Sequence, residues 1–536
     1  MTQEKGFYTR RASGLVREVS GLDVLFYNVF MIGLPVIMLL ALNWIAYPGS
    51  DMVWSIVICI IGGLGMTIVY SLYSAVFPRS GAEYVYLTRS LPPVLGFLFS
   101  WNAVIFNTYF VGFTAALVSF SAMSPLLTCL GLVTGSESLI AAAKWTESSM
   151  GILIIGTVVI VFYALLLIRG MRIYFTYQKV AFVIAIVGFI LGIVVLAVTT
   201  QSAFVAKFNQ LMSAFTTEPD PYNSIIQSAK ANGYEWAPFS AWQTLRLSIW
   251  MYISLGYCVL SSSFAGEIKN VRRSQLVGMM GGVVFAGVIF TAWAFFGERA
   301  LGGEFLRSIT YLVFYAPQAN IFPTLPWLSL FASVAANNIA LSAIIFVGVF
   351  VGSLVLPGAE MVYVSRNILA WSIDKLTPDR LGVVDQKYHT PVNAVILVAV
   401  GGIIVNAIFA FAGQVSILLS ILMWGEFAMA FTFGATCLVG MLFPYFKREF
   451  YKGSAAQIEI AGIPVMTIGG IVGTIFIGTM IYLYFTDDFI GANTPPAYAT
   501  IILSFIVGAL FYYAFRWKRH KEGIDISLAY KEVPVE

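Results

Sequence analysis

Apolar runs of roughly twenty to thirty residues recur along the whole chain, each separated from the next by a polar, Pro/Gly-containing or charged interval. A hydrocarbon layer of ~30 Å takes ~20 residues of helix at 1.5 Å each, so each run is a candidate membrane span. Twelve are predicted: 22–47, 52–77, 93–122, 149–169 and 174–199, then 244–266, 275–297, 336–364, 391–412 and 415–443, and finally 462–486 and 495–517. Two intervals are long enough to carry structure of their own. One, 201–243, holds an amphipathic piece around Phe204 to Met212 and the turn-rich Glu218-Pro219-Asp220-Pro221; the other, 297–326, has a helix-like centre around Phe305 to Phe314. Both are read as segments lying over one mouth of the bundle, as lids or as structural caps. The predicted organisation is a terminal segment 1–21, five spans in 22–199, an external loop 200–243, five more spans in 244–443, two accessory spans in 444–517 and a tail 518–536.

Two spans carry their own interruption. In the first, Gly33 and Pro35 sit near the middle, and Pro35 has no N–H to donate and crowds the carbonyl of Met31, so helical bonding should lapse near Ile32 to Leu34. Bare backbone polar groups in hydrocarbon cost several kcal/mol each, which confines such a break to places facing protein, water or a solute. The alternative is a plain proline kink packed on its neighbours. In the sixth span the weak point is Ser254-Leu255-Gly256-Tyr257. Interruptions at matching places in two halves point to an inverted-repeat transporter with its solute site between them, and two sets of five spans satisfy the odd number that inversion requires.

Composition narrows the class. With 59% hydrophobic and 10% charged residues, the chain lacks the charge that an ordinary soluble surface carries and reads as an all-α integral membrane protein. The first twenty residues are polar and the run after them is too long and lacks a small-residue cleavage site, so no cleavable signal is expected. Lys and Arg resist translocation; on the predicted topology 24 of the 30 fall on the side of the two termini and six on the other, which predicts cytoplasmic N- and C-termini in a cell membrane. Cys59, Cys129, Cys258 and Cys437 are far apart, without the pairing of zinc or redox motifs, and read as packing residues. No GxxxxGK[ST] loop is present, so no ATP motor is expected, nor any cofactor, metal or nucleic-acid partner.

Three local motifs give the chain a family likeness. Pro78-Arg79-Ser80-Gly81-Ala82-Glu83-Tyr84-Val85-Tyr86, followed by Gly96, Phe97 and Trp101, lies between the second and third spans; Glu267-Ile268-Lys269-Asn270-Val271-Arg272-Arg273 ends the sixth; Ser365-Arg366, Leu376-Thr377-Pro378 and Thr390-Pro391-Val392 link the eighth and ninth. In order and spacing they resemble the amino acid-polyamine-organocation superfamily of secondary transporters, over residues 15 to 445. The resemblance implies a leucine-transporter-type fold, a 5+5 inverted repeat plus two C-terminal helices, moving amino acids or related small amines by alternating access. It also implies substrate contacts at the two breaks, here Asn28, Ile32, Gly33, Leu34, Ser254, Leu255, Gly256 and Tyr257. In the family two glycines at the first break offer N–H groups to a substrate carboxylate; Gly33 fits one and Pro35 replaces the other, leaving the amides of Gly33 and Leu34 and making an amine without a carboxylate more plausible. Where some proton-driven members carry a lysine on the fifth span, this chain has Ala185.

A driving ion needs a titratable group at depth. Glu426, about twelve residues into the tenth span, lies near the midplane, where a charged carboxylate costs at least ~2.5 kcal/mol. Protonation or contact with a cation would relieve it, making Glu426 the coupling candidate and H⁺ the candidate ion; a structural hydrogen bond is the other explanation. Glu360 and Lys179 are placed close enough to span ends to snorkel, and Glu267 and Arg273 read as gate or packing contacts. Trp101, Trp250 and Tyr252 are candidate aromatic gates. The competing readings are a gradient-independent exchanger and a non-transporting nutrient sensor. A channel's continuous polar stripe and an enzyme's cluster of nucleophile and base are both missing from the sequence, which sets no oligomeric state.

Overall fold

The computed structural model describes residues 13–134, 136–213, 215–322, 325–412 and 415–531. Among them, eleven helical stretches are long and apolar enough to cross a membrane, in keeping with an all-α membrane protein. The predicted sixth span differs in kind. It is a 15-residue helix, Ala241–Leu255, continued by turns and two 3₁₀ pieces, Leu260–Ser263 and Ala265–Glu267.

In chain order the first interrupted span is α1 (Gly21–Ile32) and α2 (Val36–Leu40). After it come α3 (Met52–Val76), the short α4 (Ala82–Ser90) and α5 (Pro93–Leu117), which runs through a π-helical turn into α6 (Ser124–Thr134). Next are α7 (Glu137–Glu147), α8 (Ser149–Ile168) and α9 (Met171–Val198). The long intervals fold as α10 (Gln201–Met212), α11 (Pro221–Ala231) and, after α12 (Ala241–Leu255) and α13 (Val271–Leu301), α14 (Gly303–Tyr315) and α15 (Leu328–Ala336). The remainder is α16 (Ile339–Ile373), α17 (Val392–Phe411), α18 (Val415–Phe446), α19 (Arg448–Lys452), α20 (Val465–Thr486) and α21 (Pro495–Lys521).

Two sets of helices pack around the interrupted spans. On one side α13 lies along both α1 and α3, with α12 against α3; on the other, α16 lies along α5 and α9, and α17 along α5 and α8. Glycines permit the closest approaches: a Cβ on Gly188 of α9 would stand 2.6 Å from the Gly348 backbone of α16, and one on Gly278 of α13 would strike Val24 of α1. Such contacts are where small residues let membrane helices meet. Helix α16 extends nine residues past the predicted end at 364, because the polar run Ser365-Arg366-Asn367 is buried against protein and does not stop the helix as it would in water. The four cysteines are all buried and free.

One end of the bundle, called here the terminal end, receives the start of α1 and the finish of α21. The opposite loop end carries α10, α11 and α14. There Phe204, Phe208, Tyr222, Phe305 and Phe331 form one aromatic cluster, with Tyr222 and Phe305 stacked at 4.4 Å, so the amphipathic pieces are held by packing of their apolar faces.

Candidate functional site

The first break is built by Gly33, whose φ of +74° an L side chain rarely adopts. Its N–H donates back to the carbonyls of Phe30 (2.9 Å) and Val29 (3.3 Å), closing the end of α1; Pro35 then prevents the helix from continuing until Val36. The Ser254 hydroxyl of α12 donates to the carbonyl of Ile32, tying the two interrupted spans together. The second break is longer than the sequence suggested. Gly256 keeps right-handed backbone angles, and the irregular path runs on to Glu267. Its polar groups are satisfied from outside: Asn28 donates from Nδ2 to Ser261 Oγ (3.0 Å), Gln275 donates from Nε2 to the Ser261 carbonyl (3.0 Å), and Gly81 N donates to Ser263 O (2.8 Å).

Beside these breaks lies a cavity of about 430 Å³, in the size range of small-molecule sites. Met31, Ile32 and Val36 come from the first interrupted span, Trp250, Ile253 and Tyr257 from the second; Phe110, Phe113 and Thr114 of α5 face them. Two carboxylates reach it: Glu360 on α16 and Glu426 on α18, 4% and 2% exposed, each with an Oε2 that has no hydrogen-bond partner. Tyr257 lines the same cavity, its buried hydroxyl also without a hydrogen-bond partner. No Lys or Arg is among the described residues that line the cavity. Toward the loop end it is bounded by Phe314 of α14 and by Phe489 and Gly491; there Trp250 Nε1 donates to the Tyr47 hydroxyl (2.9 Å) and Phe489 packs on both rings.

The terminal end is shut by buried polar contacts. Arg366, with no exposed side-chain surface, donates from Nε to Glu267 Oε1 (2.9 Å) and from Nη2 to Oε2 (3.3 Å), a two-point pairing. Arg89 meets Asp374 at 2.7 Å, Tyr363 donates to Glu83, and Tyr27 donates to the Ala359 carbonyl at 2.8 Å. The backbone N–H groups of Glu18 and Val19 donate to Glu267 O at 3.0 and 2.9 Å, fastening the chain before α1 to the second break.

Of the residues singled out in the sequence, Ile32, Trp250, Tyr257 and Glu426 line the cavity, and Gly33, Leu34, Ser254, Leu255 and Gly256 form the chain at the two breaks behind it. Asn28 lies elsewhere, spent on Ser261. Tyr252 packs on Phe476 and Tyr484, and Trp101 on Trp371 and Phe511, both away from the cavity. Glu360 corrects its expected place: Ile373, the end of α16, stands thirteen residues beyond it, ~20 Å at helical rise, and its carboxylate is buried in the cavity wall and does not snorkel outward. Had the helix been carried through the buried polar run, the sequence would have shown two acids at one level. Lys179, half-exposed, does reach out, to Asp23 at 2.9 Å, and Ala185 is buried where α9 meets α16.

A family model described as "Amino acid permease" matches residues 25–511. The chain belongs to the amino acid permease family. The match takes in both breaks, both acids and the side-chain closing contacts of the terminal end. This permease is thus a multi-pass membrane transport protein, of a family whose general function is the passage of amino acids.

Proposed function

We propose that this permease is a secondary active transporter that takes its substrate by the amino group, working by alternating access and driven by protons. The observation that carries the reading is the pair of buried carboxylates in a cavity whose described lining holds no Lys or Arg. A charged carboxylate out of water is costly unless compensated, and two side by side more so; an ammonium group or a proton is the cheapest relief. Ring faces of Phe110, Tyr257 and Trp250 supply cation-π attraction to the same group. Fewer amides are left to hold a carboxylate, since Gly33 N–H is already bonded within α1 and Pro35 has none, which leaves that of Leu34. Amines and amino acids with a masked or absent carboxylate therefore fit better than free zwitterions.

In this reading the twelve predicted spans stand as two inverted sets of five with two accessory helices. The pairings of α3 with α13, α5 with α16 and α8 with α17 are those that corresponding second and seventh, third and eighth, and fourth and ninth spans would make. The excess of Lys and Arg on the side of the termini supports a cytoplasmic location for both. The cavity faces the outside, with Trp250 as a gate residue and the Arg366–Glu267 contact closing the inside. Glu426 carries the proton across, and the Glu360 carboxylate pairs with the substrate ammonium.

Uptake into liposomes of purified protein, across amino acids, their decarboxylated amines and polyamines, with and without a pH gradient, tests this. Amines should accumulate under the gradient. Glu426→Gln should abolish that accumulation while substrate still binds, and Glu360→Gln should weaken amine binding roughly tenfold or more, the loss of one charged contact. Preference for free zwitterions, or unchanged accumulation by Glu426→Gln, would overturn the assignment.

A further inference from the structure

A second cavity, of about 690 Å³, opens at the terminal end and has no part in the substrate site. Its walls bring together side chains far apart in sequence: Arg169 and Arg172 at the α8–α9 corner, Lys179 one face up α9, Lys269 after the second break, and Lys387 in the α16–α17 link. His389 joins them, its backbone at φ +49° and its Nδ1 3.0 Å from the Gly14 carbonyl. Against five side-chain cations stand two carboxylates, Glu18 and Asp23. Asp23 is already used, by Lys179 and by the N-terminal cap of α1. Among the described residues Arg169, Arg172, Lys269 and Lys387 enter no ion pair. Glu18 offsets one of these four, and the remaining surplus of positive charge around one hollow calls for an anion with more than one charge.

The position of the hollow narrows the ligand. Helix α9, which supplies Arg172, Thr176 and Lys179 to the wall, turns Ile173, Val180, Val183 and Val187 outward with 44–59% of their surface exposed. An acyl chain lying on that strip would place its headgroup at the cavity mouth, and basic hollows between membrane helices suit phosphorylated headgroups. From this juxtaposition we infer that the cavity is a binding site for a lipid headgroup carrying two phosphates. Its walls belong to both sides of the closed end: Glu18, Asp23 and Lys269 flank the seam where the chain before α1 meets the second break, and Arg172 of α9 and Lys387 of the α16–α17 link lie opposite. A headgroup bridging them holds the terminal end shut.

The full-length protein is placed in phosphatidylcholine nanodiscs with or without a few per cent of cardiolipin, and separately with soluble pyrophosphate; thermal midpoints are read, and retained lipid is counted by native mass spectrometry. Cardiolipin should raise the midpoint and remain bound. The exposed pair Arg172→Gln/Lys387→Gln should lose that rise and bind the lipid at least about tenfold more weakly, whereas Lys518→Gln/Lys521→Gln, on α21, should keep both. Absence of a cardiolipin effect, or equal loss in the two double variants, overturns the site. A rise of the same size with pyrophosphate, sensitive to Arg172 and Lys387, makes the occupant a free phosphate and overturns the lipid assignment.

Discussion

At Gly33 a single backbone angle decides whether the first span can open. Its φ of +74° and the 2.9 Å that would separate a Cβ from Val36 Cγ2 make every larger residue costly: ~1–2 kcal/mol for the angle in an L residue, more for a β-branched one. Gly33→Val should thus lose substrate binding while the protein still reaches the membrane, as direct binding to purified variant will show; normal affinity would move the site away from the break. A glycine two residues before a proline in mid-run was readable from sequence because both act through the chain's own geometry. The bond from Asn28 to Ser261 was hidden for the opposite reason. The two lie 233 residues apart, and no local pattern tells a solute ligand from a strut between two interrupted spans.

The elements show the same division. Long apolar helices follow from hydropathy alone, and the amphipathic α10 and α14 fall on the stretches 204–212 and 305–314 picked out by their pattern. Length was less legible than existence, because a helix end is set by what surrounds it. The polar sequence after Val364 looks like an exit from the membrane, yet Arg366 is buried and paired with Glu267, and the true extent of α16 is what leaves Glu360 well inside the helix. That pairing joins α16 to the second break, and removing one partner strands a buried charge at a cost of ~3–5 kcal/mol. Arg366→Met should lower the unfolding midpoint in detergent, and adding Glu267→Met should recover most of the loss; a double variant as unstable as the single would mean that Arg366 acts through other contacts.

For the molecule as a whole, the cavity is bounded at the loop end by a few aromatic side chains and at the terminal end by several layers of ion pairs and backbone bonds. Access should be one-sided. Thr114 lines the cavity and the native cysteines are all buried, so Thr114→Cys, with Cys129 of a neighbouring pocket replaced by Ser, gives the reporter. A membrane-impermeant thiol reagent should label it from the loop end, and saturating amine should slow labelling several-fold; labelling from the terminal end alone would reverse the proposed direction of opening. Neither the one-sidedness nor the basic hollow near Arg172 was visible beforehand, since both depend on residues from three or more helices arriving at one depth.

Two acids fixed in a cavity with no positive side chain lining it among the described residues have an electrical corollary. On the proposed proton-coupled cycle, a protonated amine and one further proton aboard would make the site nearly neutral as it crosses, and once they leave it would swing back bearing up to two negative charges. A potential negative on the terminal side drives that return, with up to ~2.3 kcal/mol per charge for each 100 mV if the whole field is traversed. Resting voltage would then accelerate the empty half of the cycle and leave the loaded half almost untouched.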